Sequence, residues 1–384
     1  MATVAQVAPA AAPAPDPDAD VRAALGRALR ALEKAKASKA ELVEAVRSAA
    51  RDASAALSLP MLPPPLPDHR SDDPEVAICL LSDWQLAKRT PSYNSTICEE
   101  RIEEYARRVA KLTAIQRAAH PVRECRVYLL GDLLEGELVF PGQSHLADAS
   151  LYRQVCVDGP RILGGLLRSL ATIFERVHVV GVIGNHGAIG GRSRRDMHPE
   201  SNADAMVYEI ARLLTAGEPR ITWAPNSTEG ERHWYAIDQV GAKRFMLFHG
   251  DQIRGHAGYP WYGTGKKVQG WAISFDRLWS NERFDYALYG HFHTPNRMFL
   301  SGITAWCNGS TESHNPYALE QLAAAGSPSQ WLLFCHPERG ITAEYLVGLG
   351  DERKREMRAA WWPGPAGFRS GSRSPSATSS RSSS

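Results

Sequence analysis

The sequence predicts an α/β domain on a mixed sheet over residues 75–350. Three observations carry this. Short apolar runs rich in β-branched and aromatic residues alternate with longer stretches of helical periodicity, the pattern of a sheet covered by helices. The segment WYAIDQVGAKRFMLF reads as a hairpin turning at Gly241, so the sheet is not purely parallel. The apolar runs are bounded by turn residues, as buried strands require.

In chain order, residues 1–20 are rich in alanine and proline and read as disordered. Residues 21–58 read as a helical segment or hairpin. Val21, Leu25, Ala28, Leu32 and Ala35 form a heptad-like stripe that breaks at Lys39 and resumes at Leu42, Val46 and Ala49, with a capping box from Ser38 to Glu41 at the break. Such a stripe packs on its own domain or serves self-association or partner docking. Residues 59–74 are a proline-rich linker, because proline removes donors and fixes φ. EVAICLL, RVYLL, RVHVVGVI, RFMLF and FDYALY read as strands. TICEERIEEYARRVAKLTAIQRAA, GPRILGGLLRSLATIF and NADAMVYEIARLL read as helices. Residues 351–384 are a Ser/Arg-rich tail with the composition of disorder.

The 44 basic and 42 acidic residues give a net charge of +2, which excludes a global basic field and leaves only local patches for nucleic acid. None of the 6 cysteines forms a CxxC pair, which suits a reducing compartment and argues against a disulfide framework. The N-terminus lacks a basic n-region, and no stretch is long and apolar enough for a membrane span. The expectation is a soluble cytoplasmic protein without a membrane partner.

The residues that end the strands carry the chemistry. EVAICLL runs into Asp83 and Gln85. RVYLL is followed by Asp132, with Glu135 beyond. RVHVVGVI leads to Asn185 and His186, RFMLF to His249 and Asp251, and FDYALY to His291 and His293. Ligand sites in open α/β sheets gather beyond the strands' carboxyl ends. Turn chemistry explains Gly-Asp or Gly-Asn, but not histidines at three separate strand tips. A metal site explains them together. The donors are carboxylates, an amide and imidazoles without thiolate, a set that suits manganese, iron, zinc or magnesium. They exceed what one ion holds, and two ions sharing a carboxylate use them all.

The series Asp83-x-Gln85, Gly131-Asp132-x-x-Glu135, Gly184-Asn185-His186, His249-Gly250 and Gly290-His291-x-His293, with Asn308-Gly309-Ser310 after it, resembles the calcineurin-like metallophosphoesterase superfamily over roughly residues 75–345. The wider sequence is similar to uncharacterised members encoded by actinobacterial phages and prophages. The resemblance implies an α/β/β/α sandwich of two mixed sheets. It implies two divalent ions, manganese foremost. Asp83 and His293 hold the first, Asn185, His249 and His291 the second, and Asp132 bridges them. It implies phosphate-ester hydrolysis by a hydroxide that the ions activate, with His186 stabilising or protonating the leaving oxygen. Gln85 departs from the pattern, because the superfamily usually has a histidine there. A glutamine oxygen is a poorer donor to zinc or iron than imidazole. The first site then binds weakly and only with added manganese, is complete with Gln85 or water, or is empty.

Two stretches bear on the substrate. One carries Arg192, Arg194 and Arg195 on a Gly-rich loop after His186. The other, after His249, interleaves Arg254, Lys266 and Lys267 with Tyr259, Trp261 and Tyr262. They read as a rim for nucleic acid or a nucleotide, since basic residues track phosphates and aromatics stack bases, or as a solvated loop face over local core. The function expected is a phosphodiesterase or nuclease. The alternatives are a binding or assembly protein with a degraded first site, and a phosphomonoesterase or protein phosphatase.

Overall fold

The computed structural model describes residues 48, 51–52, 61–140, 142–189, 201–225, 234–254, 258–278, 282–315, 320 and 326–350. The first sheet starts with β1 (Glu75–Leu81), β2 (Val122–Leu129), β3 (Arg176–Gly181) and β4 (Ile221–Trp223), all parallel. The second contains β5 (Tyr235–Val240), β6 (Lys243–Phe248), β7 (Tyr286–Tyr289), β8 (Asn296–Leu300) and β9 (Ile303–Cys307) in the order β5-β6-β7-β9-β8. The chain then returns to the first sheet through β10 (Ser329–His336) and β11 (Gly340–Gly348), completing the order β11-β10-β1-β2-β3-β4. Both sheets are mixed: β10 runs antiparallel to β1, and the expected hairpin at Gly241 pairs β5 antiparallel with β6.

The strands alternate their side chains between two buried faces, which sets the layers. Ile78, Leu80, Tyr128, Leu130 and Val180 of the first sheet meet Phe245, Leu247, Leu288 and Trp306 of the second in one shared core. The opposite face of the first sheet, including Ala77, Cys79, Leu81 and Val127, packs under helices. These are α1 (Ser95–Gln116), α2 (Gly159–Ala171) and α3 (Ala203–Thr215). The outer face of the second sheet packs under α4 (Trp261–Leu278) through Val268 and Phe275. The result is an α/β/β/α sandwich.

Sequence fixes the helices locally. Asn94 caps α1, its side-chain oxygen accepting from Ile97 N at 2.9 Å. Helix α2 buries Ile162, Leu163, Leu166, Leu167 and Leu170, a one-sided stripe in which each side chain contributes up to about 1.5–3 kcal/mol. The stretch after His249, read above as a rim insertion, is helical from Trp261 onward. Its glycines Gly263, Gly265 and Gly270 disfavour helix, but burial of Thr264, Val268 and Phe275 outweighs them.

Residues 61–73 form neither helix nor strand. They lie against the strand ends opposite the site, where Arg220 donates to the Leu62 and Pro63 carbonyls and Arg123 to those of Asp68 and Arg70. Of the helical segment 21–58, only Ser48, Arg51 and Asp52 are described, and they are helical. Residues 1–20 and the tail 351–384 lie outside the described residues. No helix among the described residues is long and apolar enough to cross a membrane.

Candidate metal centre

The strand tips turn sharply into the site. Asp83, Gln85, Asp132, His291 and His293 all adopt left-handed backbone, with φ between 49° and 71°. For a non-glycine residue this costs on the order of 1–3 kcal/mol. Backbone hydrogen bonds between the tips hold the conformation: Asp83 N donates to Gly131 O at 3.0 Å and Gln85 N to Asp132 O at 3.2 Å. Two glycines make room. A Cβ on Gly184 would come closer than 3.0 Å to Asp132 Oδ1, and one on Gly290 closer than that to Asp83 Oδ2.

These turns bring the donors together. Nε2 of His249 lies 3.0 Å from Asp132 Oδ2 and 3.1 Å from Asn185 Oδ1. Donor atoms of Asp132, His249 and His291 all fall within 4.8 Å of one another. On the other side, His293 Nε2 lies 3.2 Å from Asp83 Oδ1, and both Asp83 oxygens accept from the His291 backbone N–H. Asp83, Gln85 and His249 are fully buried and Asp132 nearly so.

Gln85 tests whether the pocket suits a cation. Neither its amide oxygen nor its nitrogen has a hydrogen-bond partner among the described residues. A buried polar group left so costs about 1–3 kcal/mol. An oxygen-seeking ion beside Asp83 satisfies the carbonyl, so the donor set fits divalent metal.

A second layer of side chains holds these donors, and Lys88, Asn202, Asp204 and Glu312 within it are absent from the sequence reading. Asp204, in the first turn of α3, accepts from Asp132 N at 2.9 Å, Leu133 N at 3.1 Å and Gly184 N at 2.9 Å, tying two ligand-bearing loops to one buried carboxylate. Its neighbour Asn202 caps the helix and also donates to Gly184 O at 2.9 Å. Position 202 has a capping signal in the sequence, but nothing there signals the reach of either side chain to Gly184. Glu312 lies 2.6 Å from His293 Nδ1 through one oxygen and 2.6 Å from Lys88 Nζ through the other. Lys88 in turn lies 4.0 Å from Glu135. Ser310, in the turn singled out in the sequence, donates to Asp83 O at 2.6 Å.

His186 belongs to the same cluster. Its backbone N–H donates to Asp132 Oδ1 at 2.7 Å, and its Nδ1 lies 2.8 Å from Glu135 O. A carbonyl only accepts, so Nδ1 carries the proton of that bond and Nε2 is the nitrogen left for chemistry.

Charge organises the centre. Burial works against ionised Asp132, but His249, His186 and His291 together hold its carboxyl far below the ordinary carboxylate range. Burial likewise opposes a charged His249, yet Asp132 lifts it to about 10. His293 is lifted to about 10 against its burial by Glu312 and Asp83. Burial and the neighbouring His249 push His291 down to about 3. Lys88 is held above its usual value because Glu312 and Glu135 outweigh its desolvation.

Of the expected rim, Arg254, Lys266 and Lys267 are exposed. Arg192, Arg194 and Arg195 lie outside the described residues. Tyr259 is not rim but support: its hydroxyl bonds the Tyr289 hydroxyl at the end of β7.

No family model and no curated protein matches the chain. Among solved structures it is similar to Vps29 from Entamoeba histolytica complexed with zinc, at 12% identity over 71% of this chain and 99% of that one, with a TM-score of 0.32. It is similar to a novel archaeal phosphodiesterase at 10% identity, over 71% of this chain and 99% of that one, TM-score 0.32. A putative 5'-nucleotidase from Staphylococcus aureus matches at 10% identity over 74% of this chain and 58% of that one, TM-score 0.33. These scores are low, and the functional reading stands on the site's own geometry.

Proposed function

We propose that the protein is a metal-dependent phosphoesterase of the calcineurin-like kind, acting on phosphodiesters of nucleic acid or nucleotides. The observation that carries the reading is the meeting of Asp83, Asp132, Asn185, His249, His291 and His293 at the junction of two sheets, with His186 fixed beside them. In this reading Asp83, Gln85 and His293 would hold one divalent ion and Asn185, His249 and His291 another, with Asp132 available to both. When bound, such ions supply Lewis-acid polarisation of a phosphoryl oxygen and a more acidic water. The burial of Asp132 and His249 keeps bulk water from competing with the substrate's oxygens. As the bond from phosphorus to the leaving oxygen breaks, His186 in its doubly protonated form would give that oxygen its Nε2 proton, while the attacking water supplies the new oxygen on phosphorus and releases a proton to solvent.

Bis-p-nitrophenyl phosphate with manganese tests this reading. Hydrolysis is expected, with loss of at least about a hundredfold in Asp132→Ala. Absence of hydrolysis with manganese, magnesium, zinc and iron alike removes the enzyme reading. It would leave a binding or assembly protein, the alternative that Gln85 at a ligand position favours. A strong preference for the monoester over the diester points to a phosphatase instead. The stripe in residues 21–58 we assign to self-association or partner docking. From the resemblance to phage-encoded members we further propose that the reaction takes place in a bacterial host's cytoplasm.

A further inference from the structure

We propose that Trp261, on the first turn of α4, is a stacking platform for an unpaired nucleobase next to the phosphate that the metal centre takes. The inference rests on the phosphoesterase reading and narrows its substrate to a nucleotide or single-stranded nucleic acid.

Trp261 is 53% exposed, and its neighbour Tyr262 is 82% exposed. An exposed aromatic alone means little. Trp261 differs because it ends a ladder of rings that starts at the site. Its ring lies 4.4 Å from that of Tyr259, Tyr259 lies 5.2 Å from Phe292, and Phe292 lies 4.9 Å from His291. Phe292 stands between the two candidate ligands His291 and His293. The Tyr259 hydroxyl is tied to Tyr289 at the end of β7. The exposed indole is therefore held in register with the metal centre.

Charge around the platform fits a strand of phosphates. From Gln252 to Phe275 the chain has Arg254, Lys266 and Lys267 and no acidic residue. Lys266 and Lys267 are exposed on the turn of α4 that follows Trp261. Lys267 reaches over the Trp271 ring, with its Nζ 5.8 Å from the centroid, so the basic side chains flank the Trp261 face rather than cover it. A flat exposed ring in a stretch with only basic charges matches a ligand that alternates flat bases with anions. A phosphopeptide offers the anion without the base. Stacking engages any base through its π-face, so the platform carries no preference for base identity.

The test measures binding by the full-length, manganese-loaded protein at one fixed salt concentration, with phosphorothioate linkages in the probes so that hydrolysis does not interfere. The probes are a fluorescent hexathymidylate and an abasic deoxyribose-phosphate oligomer of equal length. The unmodified protein is expected to prefer the thymidine oligomer by about five- to a hundredfold. Trp261→Ala is expected to bring that ratio to within about twofold, and Trp261→Phe to keep most of it. Retention of the full preference by Trp261→Ala overturns the proposal, as does equal or absent binding of both oligomers by the unmodified protein. The p-nitrophenyl diester has no nucleobase, so its hydrolysis reports on the phosphoesterase reading separately.

Discussion

Glu312 Oε1 lies 2.6 Å from Nδ1 of His293, the imidazole whose other nitrogen faces Asp83 at 3.2 Å. One carboxylate thus orients a candidate ligand from behind, and Lys88 neutralises that carboxylate from its far side. Partners of this kind fix ring orientation and raise ligand basicity. Glu312→Gln keeps the size and removes the charge. It is expected to weaken manganese binding at the first site about ten- to a hundredfold while leaving the second site intact. Titration calorimetry resolving two sites checks this, and unchanged affinity at both counts against the role.

Protonation makes a second prediction. Near pH 7 the metal-free protein holds His249 and His293 charged, with values of about 10, whereas His291 at about 3 is neutral. A ligating imidazole must be neutral. Metal binding at pH 7 should release about two protons, and affinity should rise toward pH 10. The stability of the metal-free protein runs the other way. Both values are raised above the ordinary 6.5, so the ion pairs stabilise fully below that value and fade as pH climbs through about 10. Melting of the metal-free protein should therefore fall from pH 7 to 10, while the gain on adding manganese grows. Binding heats that do not change between buffers of different ionisation enthalpy contradict the proton release.

The two close-packed glycines distinguish the two proposed ion sites. Gly184→Ala drives a methyl into Asp132, the carboxylate proposed to be shared, and Gly290→Ala drives one into Asp83. Each is expected to destabilise by about 1–3 kcal/mol through overpacking. Metal content distinguishes them: Gly184→Ala should lose both ions, Gly290→Ala only the first. Full loading of both variants would show that neither carboxylate is a ligand.

Gln85→His places an imidazole where the amide has no hydrogen-bond partner among the described residues. It is expected to tighten the first site by about tenfold, or roughly 1.4 kcal/mol. Superimposable titration curves before and after the change mean that residue 85 does not touch the ion.

What could be read from sequence was what the chain writes locally. The run from Glu75 to Leu81 is β1 end to end, since every side chain but one is buried and no other element suits so short an apolar stretch. Strand β2 starts at Val122, earlier than its apolar run, because Arg123 and Glu124 interrupt the hydrophobic pattern; the pairing with β1 shifts register there, leaving Arg123 without a partner on β1, and resumes at Glu124. Strands β4, β8, β9, β10 and β11 are not legible in this way: β4 has only three residues, while β8 with β9 and β10 with β11 form local antiparallel hairpins whose short turns the strand–helix alternation does not single out. Helix α4 was hidden by glycines and aromatics that only packing explains. The same division holds at the site. Strand-tip donors announce themselves by position, and the structure draws Asp132, His249, Asn185 and His291 together. Lys88, Asp204 and Glu312 act on those donors across space, and no spacing along the chain records that.

The shared core between the sheets ends where the donors begin. Asp83, Asp132 and Asn185 follow strands of one sheet, and His249, His291 and His293 follow strands of the other. An ion held as proposed, by donors from both halves, would rivet the sandwich at one rim. Sliding of either sheet past the other must then strip ligands from metal, so the seam and the rivet yield as a single cooperative event.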